Sequence, residues 1–248
     1  MRVLSFDAHN HIHMGPSPPP VAIGQGETTR LGGCAIMSTH PRDFDRVLQL
    51  SKSLPLHHAE ENKAEESLRV VPCFGIHPWW LAELTDEDWA LSSTPGVDDA
   101  DPSPKWLQQM ETLLTENPNS IVGEIGLDGF HFDPKTRQLS CPMETQVRAF
   151  ELQMQLAARL RRPVSIHTVQ CFGPLMNSLS HLKKKGPLPP RMYFHAFGGK
   201  VGTVDQVLAL CGRKMGQVYF GFAPVVSEYT AVHSVIDDND CDREQKKI

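Results

Sequence analysis

The sequence predicts an α/β protein built on a parallel sheet, and three observations predict it. Short apolar runs rich in β-branched residues recur along the 248 residues. Segments with apolar residues at spacings of three and four lie between them. Strands that alternate with helices in this way form βαβ units, whose strands run parallel. The alternation never lapses for long enough to mark a boundary, so a single domain over 1–248 is expected, with loop insertions near 15–30 and 85–104.

The candidate strands, in order, are "VLSFD" (3–7), "GCAIMS" (33–38), "VVPCFGI" (70–76), "SIVGEIG" (120–126), "PVSIH" (163–167), "RMYFHAF" (191–197) and "QVYFGF" (217–222). The clearest helix is "METQVRAFELQMQLAARL" (143–160), where Val147, Phe150, Met154, Ala157 and Leu160 make one apolar stripe. "DFDRVLQLSKSL", "KWLQQMETLLTEN", "PLMNSLSHLKKK" and "TVDQVLALCG" read the same way, the last stopping at Gly212. "EYTAVHSVI" is a candidate seventh helix. The tail after it, "DDNDCDREQKKI", is too polar to be a buried strand. The count of strands is therefore seven.

Composition narrows the function. With 40% hydrophobic and 21% charged residues and a formal net charge of −5, the chain has no global basic field to draw it to nucleic acid. Any such binding must come from a local site. None of the six cysteines forms a C-x-x-C pair, which fits reduced thiols and a cytoplasmic or nuclear protein. No apolar stretch approaches the ~18 residues of a membrane span. The basic run "LKKK" (182–185) at a helix end is explained by the helix dipole and solvation. Cys171 and Cys211 are read as core fillers.

The histidines carry the chemistry. His9 and His11 are two apart, so an extended backbone points both to one face. Two neutral imidazoles at that spacing can bind one ion. Glu124 stands at the end of the fourth candidate strand, His167 of the fifth and His195 of the sixth. In a parallel barrel all C-terminal strand ends meet on one face, where active sites form. His9, His11, Glu124, His167 and His195 thus converge as candidate metal ligands. His13 falls after the strand and reads as a loop histidine beside a substrate. Asp7 shares the parity of the histidines and reads as a buried acid supporting them.

The joint pattern of "FDAHNHIH", "FGIHPWW", "VGEIGLD", "FELQMQLAARLRRPVSIHT" and "FHAFGG" resembles the TatD-like metal-dependent deoxyribonucleases, within the amidohydrolase-like hydrolases. The resemblance covers about residues 3–236 in patches. It implies a TIM-type (β/α)8 barrel, of which this chain shows seven strands and is truncated before the eighth. It implies two divalent metal ions (Mg, Mn or Zn) held by His9, His11, Glu124, His167 and His195, with Glu124 bridging. It implies hydrolysis of phosphodiester bonds in DNA, with Glu124 and His77 in the reaction site and His77 on the substrate side. Asp128 either orients a ligand or caps a loop. Trp79 and Trp80 either stack on a base or pack their loop on the barrel rim.

Two departures bear on activity. The family usually carries an arginine two residues after the histidine of the fifth strand; here that position is Val169. This resembles a divergent fungal branch, some of whose members are named as interactors of a mitotic tetratricopeptide-repeat protein, and it implies a protein partner of that type. The family's eighth strand ends in a ligand Asp that serves as general base; Asp237, Asp238, Asp240 and Asp242 lie near the right distance but lack an apolar run. Loss of a general base costs about 10²–10⁴ in rate, so weak catalysis is expected from this chain as written. Three functions remain: a deoxyribonuclease, an amidohydrolase on small amides or esters, and a catalytically impaired adaptor that uses the 85–104 loop as a contact.

Overall fold

The computed structural model describes residues 3–15, 29–53, 69–92, 102–212 and 217–223. Seven strands form one sheet: β1 (Val3–Asn10), β2 (Thr29–Met37), β3 (Arg69–Phe74), β4 (Ile121–Asp128), β5 (Val164–Val169), β6 (Met192–Phe194) and β7 (Val218–Phe220). Their order across the sheet is their order along the chain, and every neighbouring pair is parallel. Parallel crossovers in one unbroken direction, of the right-handed kind such units adopt, put the connecting helices on one face and curl the sheet around the other. The result is a (β/α) barrel wall in which β1 and β7 are the two edges among the described residues. The tail with its four aspartates and the candidate helix 228–236 lie outside those residues.

The helices are α1 (Phe44–Ser53), α2 (Asp86–Trp89), α3 (Lys105–Glu116), α4 (Met143–Arg159), α5 (Phe172–Lys185) and α6 (Val201–Cys211). All but the four-residue α2 fall where apolar periodicity places them. The short α2 opens on a capping box between Thr85 and Asp88, and beyond it Leu91–Ser92 pairs antiparallel with Ser103–Pro104, so the 85–104 insertion is a small folded lobe at both its ends. Residues 93–101 of that insertion, and nearly all of the 15–30 insertion, lie outside the described residues.

The apolar faces of α1, α3, α4 and α5 meet the outward side chains of β2 to β6 in one continuous core that includes Phe44, Trp106, Met110, Phe150, Met154, Leu175, Leu179, Ile36, Phe74 and Ile166. Phe150, on the predicted stripe of α4, is fully buried. Phe150→Ala is expected to lower unfolding free energy by about 3–5 kcal/mol, read from urea denaturation followed by circular dichroism.

Two strand limits differ from the sequence reading, and both matter to the site. β1 extends to Asn10 and carries His9 within it. β4 runs on to Asp128, so Glu124 is inside the strand and does not end it. The register of β4 with β5 slips between Val122 and Ile125, and the Glu124 N–H donates to Ser38 O (3.2 Å) on the far side of β3. An irregularity of this kind re-aims a side chain that a regular strand would place elsewhere.

Candidate metal centre

Glu124 is 2% exposed, and five imidazoles surround its carboxylate. On one oxygen, Oε2, lie His9 Nε2 at 3.1 Å and His11 Nε2 at 3.0 Å. On the other, Oε1, lie His167 Nδ1 at 3.1 Å and His77 Nε2 at 3.5 Å, and His195 Nε2 touches the same oxygen without hydrogen-bonding geometry. The strands bring these groups together as parity requires. His9 is in β1 and His11 just past it, Glu124 and His167 are in β4 and β5, and His77 and His195 follow β3 and β6.

The outer ring nitrogens fix how the inner ones point. His11 Nδ1 faces Met37 O at 3.0 Å, and a carbonyl only accepts, so Nδ1 carries the hydrogen and Nε2 is turned inward. His9 Nδ1 lies 3.3 Å from Ser165 Oγ, a partner on the inward face of β5 two residues from His167. His9 and His11 Nε2 are 3.2 Å apart. Two inward nitrogens that close to one carboxylate oxygen form a donor set suited to a cation. His9, His11 and Glu124 have ligand atoms within 4.8 Å of one another, and so do His77, Glu124 and His167. A carboxylate offers about four lone-pair directions, so five imidazoles exceed what hydrogen bonds to it can satisfy.

The charge pattern follows from burial and contact. Burial alone would raise the Glu124 carboxyl; His77 and hydrogen bonds from His11 and His167 overcome it and hold the group well below the carboxylate range. Burial would lower His167; its bonds to Asp128 and Glu124 reverse that and raise it to about 9. Burial, aided by His9, lowers His195 to about 3, and burial lowers His77 to about 4. The site is thus a buried anion beside a charged His167 and the neutral rings of His77 and His195.

Asp128 both holds the His167 ring and caps the loop after β4. Its Oδ2 accepts from His167 Nε2 (2.9 Å) and from Trp79 Nε1 (2.7 Å), and its Oδ1 accepts from the N–H groups of Phe130 (2.7 Å) and His131 (2.9 Å). Trp79 is also placed by this bond: 42% exposed, it stacks on His131 at 4.4 Å and meets the His77 ring edge to face at 4.9 Å. Trp80 is half-buried. Val169 ends β5 opposite Asp128.

Two sequence readings change and a third gains detail. His13 lies in the loop after β1, as its position predicts, and the turn Ile12–Met14 carries it inward: it is 2% exposed, and its Nε2 bonds Asp43 Oδ2 at 2.9 Å. The same Asp43 oxygen accepts from Thr39 N–H and Oγ1, so this cluster ties the loop after β1 to the loop after β2. Asp7 is exposed, because β1 is an edge strand with no described neighbour on one flank; its Oδ1 accepts from His9 N–H (3.1 Å). Glu124 moves from strand end to strand interior, as described above. Sequence reasoning missed Ser165, His131, Gln146 and Gln153. Ser165 shares parity with His167 and was legible; the glutamines were legible only as polar residues on an apolar helix face. Cys171 and Cys211 fit the reading as core fillers, since burial pushes their thiols up to about 12 and about 11. Lys183, in the last turn of α5, contacts Leu210 O in the last turn of α6.

A family model described as TatD related DNase matches residues 6–243. The chain belongs to that family. Among relatives, the Cut9-interacting protein scn1 of Schizosaccharomyces pombe is 27% identical over 264 residues, covering 82% of this chain and 74% of that protein. The metal-dependent hydrolase YjjV of Escherichia coli is 26% identical, covering 85% of this chain and 66% of its own length. The solved structure of YjjV superposes with a TM-score of 0.52 at 22% identity, over 83% of this chain and 64% of that one. An amidohydrolase from Saccharomyces cerevisiae superposes with a TM-score of 0.54 at 15% identity, over 88% of this chain and 67% of that one. These likenesses show the fold to be that of the TatD barrels. The chain spans about two thirds to three quarters of the length of these relatives. Among the described residues no helix is long and apolar enough to cross a membrane.

Proposed function

We propose that this TatD family chain is a hydrolase acting on phosphodiester bonds of DNA, with Glu124 bridging two divalent cations (Mg, Mn or Zn). His9 and His11 would complete the site on Oε2, and His167 and His195 the site on Oε1. The single observation that carries this reading is the division of the histidines between the two oxygens of one buried carboxylate. Such ions, when bound, lower the pKa of coordinated water and neutralise charge on phosphoryl oxygens. The residues of the chain do the rest. Met37 O and Ser165 hold the rings of His11 and His9, and Asp128 holds that of His167. His77, on the Oε1 side and hydrogen-bonded through Nδ1 by the Trp79 N–H, would meet the substrate. Trp79 offers an exposed indole beside it.

The test is hydrolysis of a labelled DNA oligonucleotide after chelation and metal add-back. Cleavage restored by Mn²⁺ and absent in His9→Ala is expected; cleavage untouched by chelation, or retained in His9→Ala, contradicts the reading. Two observations favour a second reading, an adaptor in the cytoplasm or nucleus with a tetratricopeptide-repeat partner. Val169 stands where the family's phosphate-pairing arginine is expected, and one relative is named for an interaction with Cut9. Metal retention after dialysis separates the two: none favours the adaptor.

A further inference from the structure

β3 and β4 are paired over only Cys73↔Ile121 and Phe74↔Val122. Beyond that point the strands part, and each leads to a residue of the site: β3 continues through Ile76 to His77, and β4, still paired with β5, runs to Asp128. The next residues on each turn away from the split, His77 N–H donating to Thr39 O and Gly129 N–H to Val169 O. The backbone groups of Ile76 and Asp128 therefore face the split, buried and without a strand partner, a costly arrangement unless something else pairs them.

Two glutamines of α4 do so. Gln153 Oε1 accepts from Ile76 N–H at 2.7 Å, and Gln153 Nε2 donates to Ile76 O at 3.3 Å. Gln146 Oε1 accepts from Asp128 N–H at 2.8 Å, and Gln146 Nε2 donates to Asp128 O at 3.1 Å and to Cys141 O at 2.8 Å. Both are almost fully buried, at 1% and 3% exposure. A carboxamide is the one side chain that offers a donor and an acceptor in a plane as a peptide does. Seven residues apart, the two stand on one helix face, separated by about 10 Å along the axis.

We propose that Gln146 and Gln153 are positioning residues that substitute for a missing strand neighbour and make α4 a ruler for the site. Gln153 fixes Ile76 and so the adjacent His77. Gln146 fixes Asp128, whose carboxylate holds the rings of His167 and Trp79. Their importance to hydrolysis rests on the metal-dependent reading given above; their control of the two rings does not.

The test compares Gln146→Met and Gln153→Met with the parent, with exposed Gln155→Met on the same helix as control. Histidine ring resonances of the metal-free proteins are read by NMR, and Mn²⁺ affinity and DNA hydrolysis are measured below each melting temperature. Gln146→Met is expected to shift the His167 ring and to weaken Mn²⁺ binding about tenfold or more, leaving His77 in place. Gln153→Met is expected to shift His77 and to lower kcat about tenfold or more at unchanged Mn²⁺ affinity. Gln146→Glu and Gln153→Glu keep the accepting oxygen and, as the protonated acid, an O–H donor for the carbonyl, so in that form they should recover part of each loss, and they carry the test if the Met variants do not fold. Gln155→Met should match the parent. Folded variants that lower only the melting temperature, or that move both rings alike, overturn the proposal. A parent that neither binds Mn²⁺ nor cleaves DNA overturns the functional reading instead, and the ring shifts still decide the role of the glutamines.

Discussion

Glu124→Gln is expected to remove both bound cations and to reduce DNA hydrolysis by about 10³-fold or more. Losing a residue that merely orients a metal ligand costs about 10–100-fold. Glu124 faces two groups of histidines with two oxygens, so a neutral amide weakens both halves at once. The amide keeps the volume of the carboxylate, so the barrel wall should stay folded. The measurement is metal content by plasma mass spectrometry beside initial rates. Parent-like metal content in the variant would contradict a bridging role.

Gly126→Ala is expected to destabilise the barrel strongly. Gly126 sits in β4 at φ +154°, and an added Cβ would lie 2.0 Å from His167 O on β5. That atom is backbone and cannot rotate away. Strain at the glycine-type conformation and overpacking add, at about 1–3 kcal/mol each, to a loss of about 2–6 kcal/mol. For a domain of this size that lowers Tm by about 10 °C. Thermal melts by circular dichroism would show it, and a Tm within about 2 °C of the parent would contradict it. Any folded variant should bind metal less well, because the clash displaces the strand that carries His167. The second glycine of "VGEIGLD" is therefore explained by the approach of β5, while the first, Gly123, lies against Ser165 and Met37.

Much of the barrel was legible because its signals are periodic. The period-2 spacing of His9 and His11 survives in the structure as two nitrogens on one carboxylate oxygen. The stripe on α4 packs as its spacing predicts. What escaped are features set by contacts between distant segments. His13 follows the same spacing as His9 and His11, but a tight turn and Asp43, thirty positions away, pull it into a structural cluster. Trp79 sits in a short motif, yet its indole is aimed by Asp128 on another strand. Glu124 lies in a run that reads as an ordinary strand, and only the slipped register against β5 tells where it points. Gln146 and Gln153 interrupt an apolar face without an apolar reason, which sequence patterns record as noise unless the partner backbone is known.

On the proposed reading, Glu124 would help hold two cations. The most direct measurement is a crystal structure of the protein with Mn²⁺, read by anomalous scattering. The account predicts two peaks flanking Glu124, one beside His9 and His11 and the other beside His167 and His195. A single peak, or none within reach of Glu124, would contradict it.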